Sequence, residues 1–128
     1  MSEQYYPASP VVSNGPSGTL WVLVLAGDVD PEFVDEVEEA FTRAERESAG
    51  LLFTVDVSAL RFCDSALLNL LLQTARRRPV VLAGENVFVR RMLQVTGVGS
   101  AFTVVADNDA ARGLTAQPHG GDGTQTGV

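Results

Sequence analysis

The pair Asp64-Ser65 stands directly ahead of a leucine-dominated run, Ala66-Leu67-Leu68-Asn69-Leu70-Leu71-Leu72. Asp and Ser favour the capping position of a helix, because their side-chain oxygens accept hydrogen bonds from unpaired N–H groups of the first turn. Arg76-Arg77-Arg78 follow where cations suit the negative helix end, and Pro79 blocks continuation. The pattern predicts a largely buried helix from Ser65 to about Arg77, with a hydroxyl at its positive end. That end of a helix accommodates an anion, a phosphate included. On the residue pattern alone, Ser65 reads first as a helix cap.

Other chemistry-bearing residues narrow the options. Ser65 or Cys63 as a hydrolytic nucleophile needs a general base, yet the sole histidine is His119 in a polar tail and there is no lysine. A G-x-S-x-G elbow is absent. Asp28, Asp30 and Asp56 superficially suit the acidic cluster of a phospho-aspartate receiver, but such proteins also use a lysine. Neither G-x-x-x-x-G-K-[ST] nor G-x-G-x-x-G occurs, which disfavours a nucleotide-binding module. Cys63 cannot form an internal disulfide, and metal-ligand spacing is missing, so no metal or cofactor is expected. The chain is read as a non-enzyme.

Composition agrees. The formal net charge is −7, and all nine basic residues are arginine. A net-acidic surface argues against nucleic acid or an anionic membrane as partner, since both select a basic footprint. The N-terminus, MSEQYYPASP, lacks the basic and apolar regions of a signal peptide, and the leucine run is too short and interrupted to span a bilayer. A cytoplasmic protein is expected.

The elements that position these groups follow from periodicity. Residues 1–8 read as a flexible N-terminus. Pro10–Ser13 reads as a short edge strand, Asn14–Gly18 as a turn, and Thr19–Ala26 as a central strand, giving a hairpin with a loop longer than the tightest types. Asp30 is the expected cap of a helix with Pro31 in its first position. Phe33, Val37, Ala40, Phe41 and Ala44 mark its buried face, Glu39 and Arg43 a possible ion pair, and Gly50 its stop. Leu51–Val57 is the next strand and Ser58–Cys63 a connection; Asp56 and Ser58 read as structural groups. After the Ser65 helix come a strand at Val80–Ala83, a helix capped by Asn86 and ended by Gly97 and Gly99, a strand at Ala101–Val105, and a helix capped by Asp107. Residues 116–128 have little to bury and read as a disordered tail. The alternation implies an α/β layer fold: a mostly parallel sheet of four to five strands, an N-terminal hairpin and about four helices. Ligand chemistry in such folds lies beyond the carboxyl ends of strands, where Asp28, Asp30 and Asp64-Ser65 would share one rim.

From about residue 9 to 115 the sequence resembles a STAS domain of the bacterial anti-sigma-factor antagonist type. The resemblance rests on Leu25-Ala26-Gly27-Asp28-Val29-Asp30, on Thr54-Val55-Asp56-Val57-Ser58 leading into Phe62-Cys63-Asp64-Ser65, and on Val87 to Val98 as the third helix with its glycine stop. It implies a partner-switching protein: Ser65 as phospho-acceptor, Asp64 as the aspartate before it, and Asp30 as an acidic residue near the site. Asp28, Asp30, Asp64, Ser65, Ala66 and Leu67 would then form the partner-binding rim. The implied partner is an anti-sigma factor that is also an ATP-binding serine kinase, bound by the unmodified protein and released on phosphorylation. The family usually continues Asp-Ser with a small residue and then Gly-Leu, whereas this chain reads Ala66-Leu67-Leu68. The alternative is a degenerate interaction module of the same fold that is not switched.

Overall fold

The computed structural model describes residues 9–84 and 86–116; the readings for residues 1–8 and 117–128 lie outside them. Five strands form one sheet in sequence order: β1 (Val11–Ser17), β2 (Leu20–Val29), β3 (Leu52–Cys63), β4 (Val81–Ala83) and β5 (Thr103–Val105). The β1–β2 pair is antiparallel and the other three pairs are parallel. The helices are α1 (Val34–Glu47), α2 (Ser65–Arg77), α3 (Val87–Thr96) and α4 (Asn108–Ala116).

Alternation along the strands sorts side chains onto two faces. Trp21, Leu23 and Leu25 of β2, Phe53, Val55 and Val57 of β3, and Leu82 of β4 meet Val37 and Phe41 of α1, Leu67 and Leu71 of α2, and Val89 and Leu93 of α3. Phe41 meets Phe53 edge-on, with ring centroids 5.9 Å apart. The opposite face is smaller: Leu20, Val22 and Val81 pack under Ala111 of α4.

The hairpin differs from the sequence reading. β1 continues through Asn14–Ser17 and turns tightly at Gly18-Thr19, with Ser17 opposite Leu20. Asn14 is held in the strand by contacts remote in sequence: its Nδ2 donates to the Ala40 carbonyl at 3.0 Å, and its Oδ1 accepts from Trp21 Nε1 at 2.7 Å. Pro16 is tolerated because β1 is an edge strand. Gly18 supplies the positive φ, +63°, that the turn needs.

The expected connection at Ser58–Cys63 is instead the second half of β3. Pairing with β2 slips after Val24↔Asp56 and resumes at Ala26↔Ala59. Asp56 Oδ1 builds this bulge by accepting from Ser58 N at 3.0 Å and Ser58 Oγ at 2.7 Å. Gly84, leaving β4, presses on the same point: a Cβ there would lie 2.7 Å from Ser58 N. The ladder slips once more between Gly27↔Leu60 and Asp28↔Phe62 and ends at Val29↔Cys63.

Two expectations at α1 are corrected. Asp30 makes no side-chain cap; Pro31–Phe33 form a 3₁₀ turn, and α1 starts only at Val34. Arg43 pairs with Glu47 at 3.4 Å and lies 5.8 Å over the Trp21 ring, rather than meeting Glu39. At the far end of α2 the arginines do more than neutralise a helix terminus. Arg77 binds Glu45 of α1 through Nε at 3.1 Å and Nη2 at 2.6 Å. Arg78 donates to Ser48 Oγ and the Leu51 carbonyl. These bonds tie α2 to α1 and to the entry of β3.

Candidate functional site

The carboxyl ends of β2 and β3 lie side by side, so Asp28, Asp30, Asp64 and Ser65 stand on one rim. Asp28 is exposed and pairs with Arg61 at 3.4 Å; Asp30 and Asp64 are half-buried. Arg61, which the sequence reading left out, therefore contributes a cation to this rim.

At α2 the capping question has a definite answer. Asp64 Oδ1 accepts from Ala66 N at 3.0 Å, and Asp64 has the extended backbone of a capping residue. Ser65 is the first helical residue, exposed, and its hydroxyl makes no hydrogen bond with any described residue. The hydroxyl thus stands free at the positive end of a 13-residue helix. Leu67 is 1% exposed and points into the core, so its side chain adds no bulk at the surface around Ser65. Ala66 is half-buried.

This geometry separates two substitutions. Asp64→Ala is expected to destabilise the protein by about 1 kcal/mol through loss of the cap, lowering Tm by roughly 4 °C. Ser65→Ala is expected to leave Tm nearly unchanged. Thermal unfolding followed by circular dichroism distinguishes them; the reverse order would assign the cap to Ser65.

Cys63 is 6% exposed, and its Sγ lies 3.6 Å from Met92 Sδ. Burial, and secondarily the Asp64 carboxylate, push its thiol up to about 11. A neutral, covered thiol is a poor nucleophile. Iodoacetamide at neutral pH is expected to leave Cys63 unmodified in the native protein and to alkylate it in denaturant, as read by intact mass.

The acidic residues do not converge on a metal. Asp56 Oδ2 accepts from Asn108 Nδ2 of α4 at 3.1 Å, so Asp56 faces α4 while Asp28 and Asp30 stand at the strand ends. Among the described residues no group of His, Cys, Asp and Glu is placed to hold a metal ion, and no helix is long and apolar enough to cross a membrane. A cavity of about 600 Å³ lies elsewhere, between α3 and β5, floored by Val57, Leu82, Val89 and Leu93. None of the rim residues lines it.

Asn86 exceeds the role its position suggested. Its Oδ1 caps α3 by accepting from Val89 N at 3.1 Å, while its Nδ2 donates to the carbonyls of Val57 and Leu60 at 2.7 and 2.6 Å. It therefore pins the start of α3 to β3, just ahead of the Ser65 rim. The capping role is local and readable in sequence; the two carbonyls lie 29 and 26 residues away. Phe62 and Phe88, with ring centroids 6.1 Å apart, form a second link between β3 and α3 that periodicity did not reveal.

Comparisons with known proteins agree with this architecture. A family model described as Mlab, STAS domain, matches residues 17–106. Comparison with curated proteins finds no match. Among solved structures, a proposed anti-sigma factor antagonist from Thermotoga maritima is similar with a TM-score of 0.70 at 12% identity, over 82% of this chain and 94% of that one. The anti-sigma factor antagonist SpoIIAA in its unphosphorylated form aligns with a TM-score of 0.59 at 17% identity, over 80% and 94% of the two chains. The Bacillus cell fate determinant SpoIIAA in the phosphorylated form gives 0.56 at 19%, over 77% and 93%. At these identities the likeness shows the fold.

Proposed function

The chain belongs to the STAS domain family, and from that premise we propose that it is an anti-sigma-factor antagonist that switches partners through Ser65. Unmodified, it binds an anti-sigma factor that is also an ATP-binding serine kinase; phosphorylated on Ser65, it releases that partner. The rim of Asp28, Asp30, Asp64, Ser65, Ala66 and Leu67 frames the contact, with Leu67 acting from beneath as part of the core. The protein itself performs no catalysis in this scheme and works in the cytoplasm. The folded unit is the segment from about residue 9 to 115.

One observation carries the proposal: Asp64 takes the capping duty, which leaves the Ser65 hydroxyl exposed and unengaged. A serine needed as a cap would be poorly available to a kinase. The comparisons add support, because SpoIIAA structures in both modification states share this fold.

The chemistry follows from charge. A phosphoserine carries about −1.5 to −2 charges near neutral pH. The positive end of α2 favours that charge, while Asp64 and Asp30 oppose it. The fold should change little and the surface potential greatly. An interface formed around a neutral hydroxyl would then have to bury a dianion, at a cost of several kcal/mol unless cations meet it. The direct test incubates the protein with ATP and each ATP-binding anti-sigma-factor kinase of the same organism, then maps the modified residue by mass spectrometry. Phosphate on Ser65, absent from Ser65→Ala, is the expected result; binding without modification would favour the unswitched module.

A further inference from the structure

Phe62 ends the exposed part of β3, three residues before Ser65, and its side chain is 46% exposed. Its ring leans on the half-buried Phe88 of α3 at a 41° tilt, and Val87, the residue before Phe88, is 74% exposed. A large aromatic left in water beside a second ring is a poor use of apolar surface unless something covers it. Aromatic side chains that are held in place and become fully covered dominate protein–protein binding energy.

The patch is held rigidly. Asn86 bonds two carbonyls of β3, and Cys63 packs its sulfur against Met92, so α3 cannot slide away from the strand that carries Phe62. A preorganised ring loses little entropy on docking. The surroundings carry both signs: Asp28 stands opposite Phe62 in the sheet and is paired with Arg61, Asp30 and Asp64 follow on the same rim, and Arg90 and Arg91 come two and three residues after Phe88 in α3. Asp30 and Asp64, which have no ion pair with a described residue, are the carboxylates left to attract a protein face bearing Arg or Lys.

We propose that Phe62, supported by Phe88 and Val87, is the apolar anchor of the partner interface, and that the partner carries an apolar recess bordered by cations. This rests on the partner-switching reading, and commits its occupant to the docking face of an ATP-binding anti-sigma-factor kinase. The interface then has two parts. The ring supplies affinity that is indifferent to charge, and the nearby Ser65 hydroxyl supplies the part that phosphorylation removes. The acidic rim fixes which way the partner sits.

The test measures binding of the full chain to each purified ATP-binding anti-sigma-factor kinase of the same organism by calorimetry. Phe62→Ala is expected to weaken binding about tenfold or more, and Phe62→Tyr to retain most of it. Val104→Ala, on the edge strand β5 two strands from Phe62 and 56% exposed, is expected to bind as wild type. Amide exchange on the wild-type complex guards against misfolding of the Phe62→Ala variant: residues 61–63 and 87–88 are expected to gain protection. Wild-type affinity in a folded Phe62→Ala protein, or no protection there in the complex, overturns the anchor while leaving partner switching intact. Wild-type protein that binds none of these kinases overturns partner switching itself, and the anchor with it.

Discussion

Ser65→Asp is expected to bind the anti-sigma-factor kinase roughly ten- to a hundredfold more weakly than Ser65→Ala, with both variants folded and close to wild-type Tm. The argument begins at the helix end. Because Asp64 already satisfies the first-turn N–H at Ala66, a carboxylate at position 65 adds charge without adding a needed cap. It sits on an exposed position, so the monomer tolerates it, and the positive end of α2 offsets part of its repulsion with Asp64. The complex has no such relief. Covering the new charge against a surface selected for a neutral hydroxyl costs roughly 1.4 kcal/mol for each tenfold loss. Ser65→Ala removes the acceptor oxygen and is expected to stay bound in the presence of ATP, where wild type is released. Calorimetry with and without ATP reads both effects. Equal affinity of the Asp and Ala variants would remove the electrostatic switch and leave the unswitched interaction module.

The largest expected loss of stability comes from Asn86→Ala, by about 3 kcal/mol. The cap of α3 accounts for about 1 kcal/mol. The remainder comes from the carbonyls of Val57 and Leu60, which lose their donor at a covered strand–helix junction; an unpaired buried acceptor costs about 1–3 kcal/mol. The corresponding fall in Tm is roughly 10 °C. Asn86→Asp separates the two roles. It keeps the acceptor for Val89 N but brings a carboxylate against two carbonyl oxygens, so it is expected to be no better than alanine despite preserving the cap. If Asn86→Asp unfolds at the wild-type temperature, the Nδ2 bonds contribute nothing. Chemical denaturation gives the free energies independently of the thermal scan.

Both expectations concern the same junction. Ser65 is presented by the turn between β3 and α2, and β3 is held in place partly by the start of α3. Loosening Asn86 should therefore blur the rim as well as weaken the fold. The Asp56–Ser58 bulge acts earlier on the same strand: it absorbs the first of two extra residues in β3, and a second slip between Gly27↔Leu60 and Asp28↔Phe62 absorbs the other, so that Val29 ends opposite Cys63 and the two acidic strand ends come together.

Local signals were readable from the chain alone. The helical run after Ser65, the caps at Asn86 and Asp107, the glycine at Gly97 with its left-handed φ of +73°, and the apolar runs of the central strands all lie where periodicity and end chemistry predict. So does the shared rim of Asp28, Asp30, Asp64 and Ser65, because parallel strands place their carboxyl ends together. These features depend on neighbours within about a helical turn, or on a topology that allows few alternatives.

The folded backbone decided the rest, locally where two neighbouring groups compete for one role and at long range where the partners lie far apart in sequence. Asp64 and Ser65 are both good caps by type, and only the backbone geometry assigns the bond to Asp64. Asn14 and Pro16 carry turn preferences, yet bonds to Trp21 and Ala40 and an edge position keep them in β1. Asp30 looks like a helix cap, but the 3₁₀ turn at Pro31–Phe33 intervenes and its carboxylate is left to the rim. The second donor role of Asn86 and the exposed ring pair of Phe62 and Phe88 exist only once α3 is laid against β3.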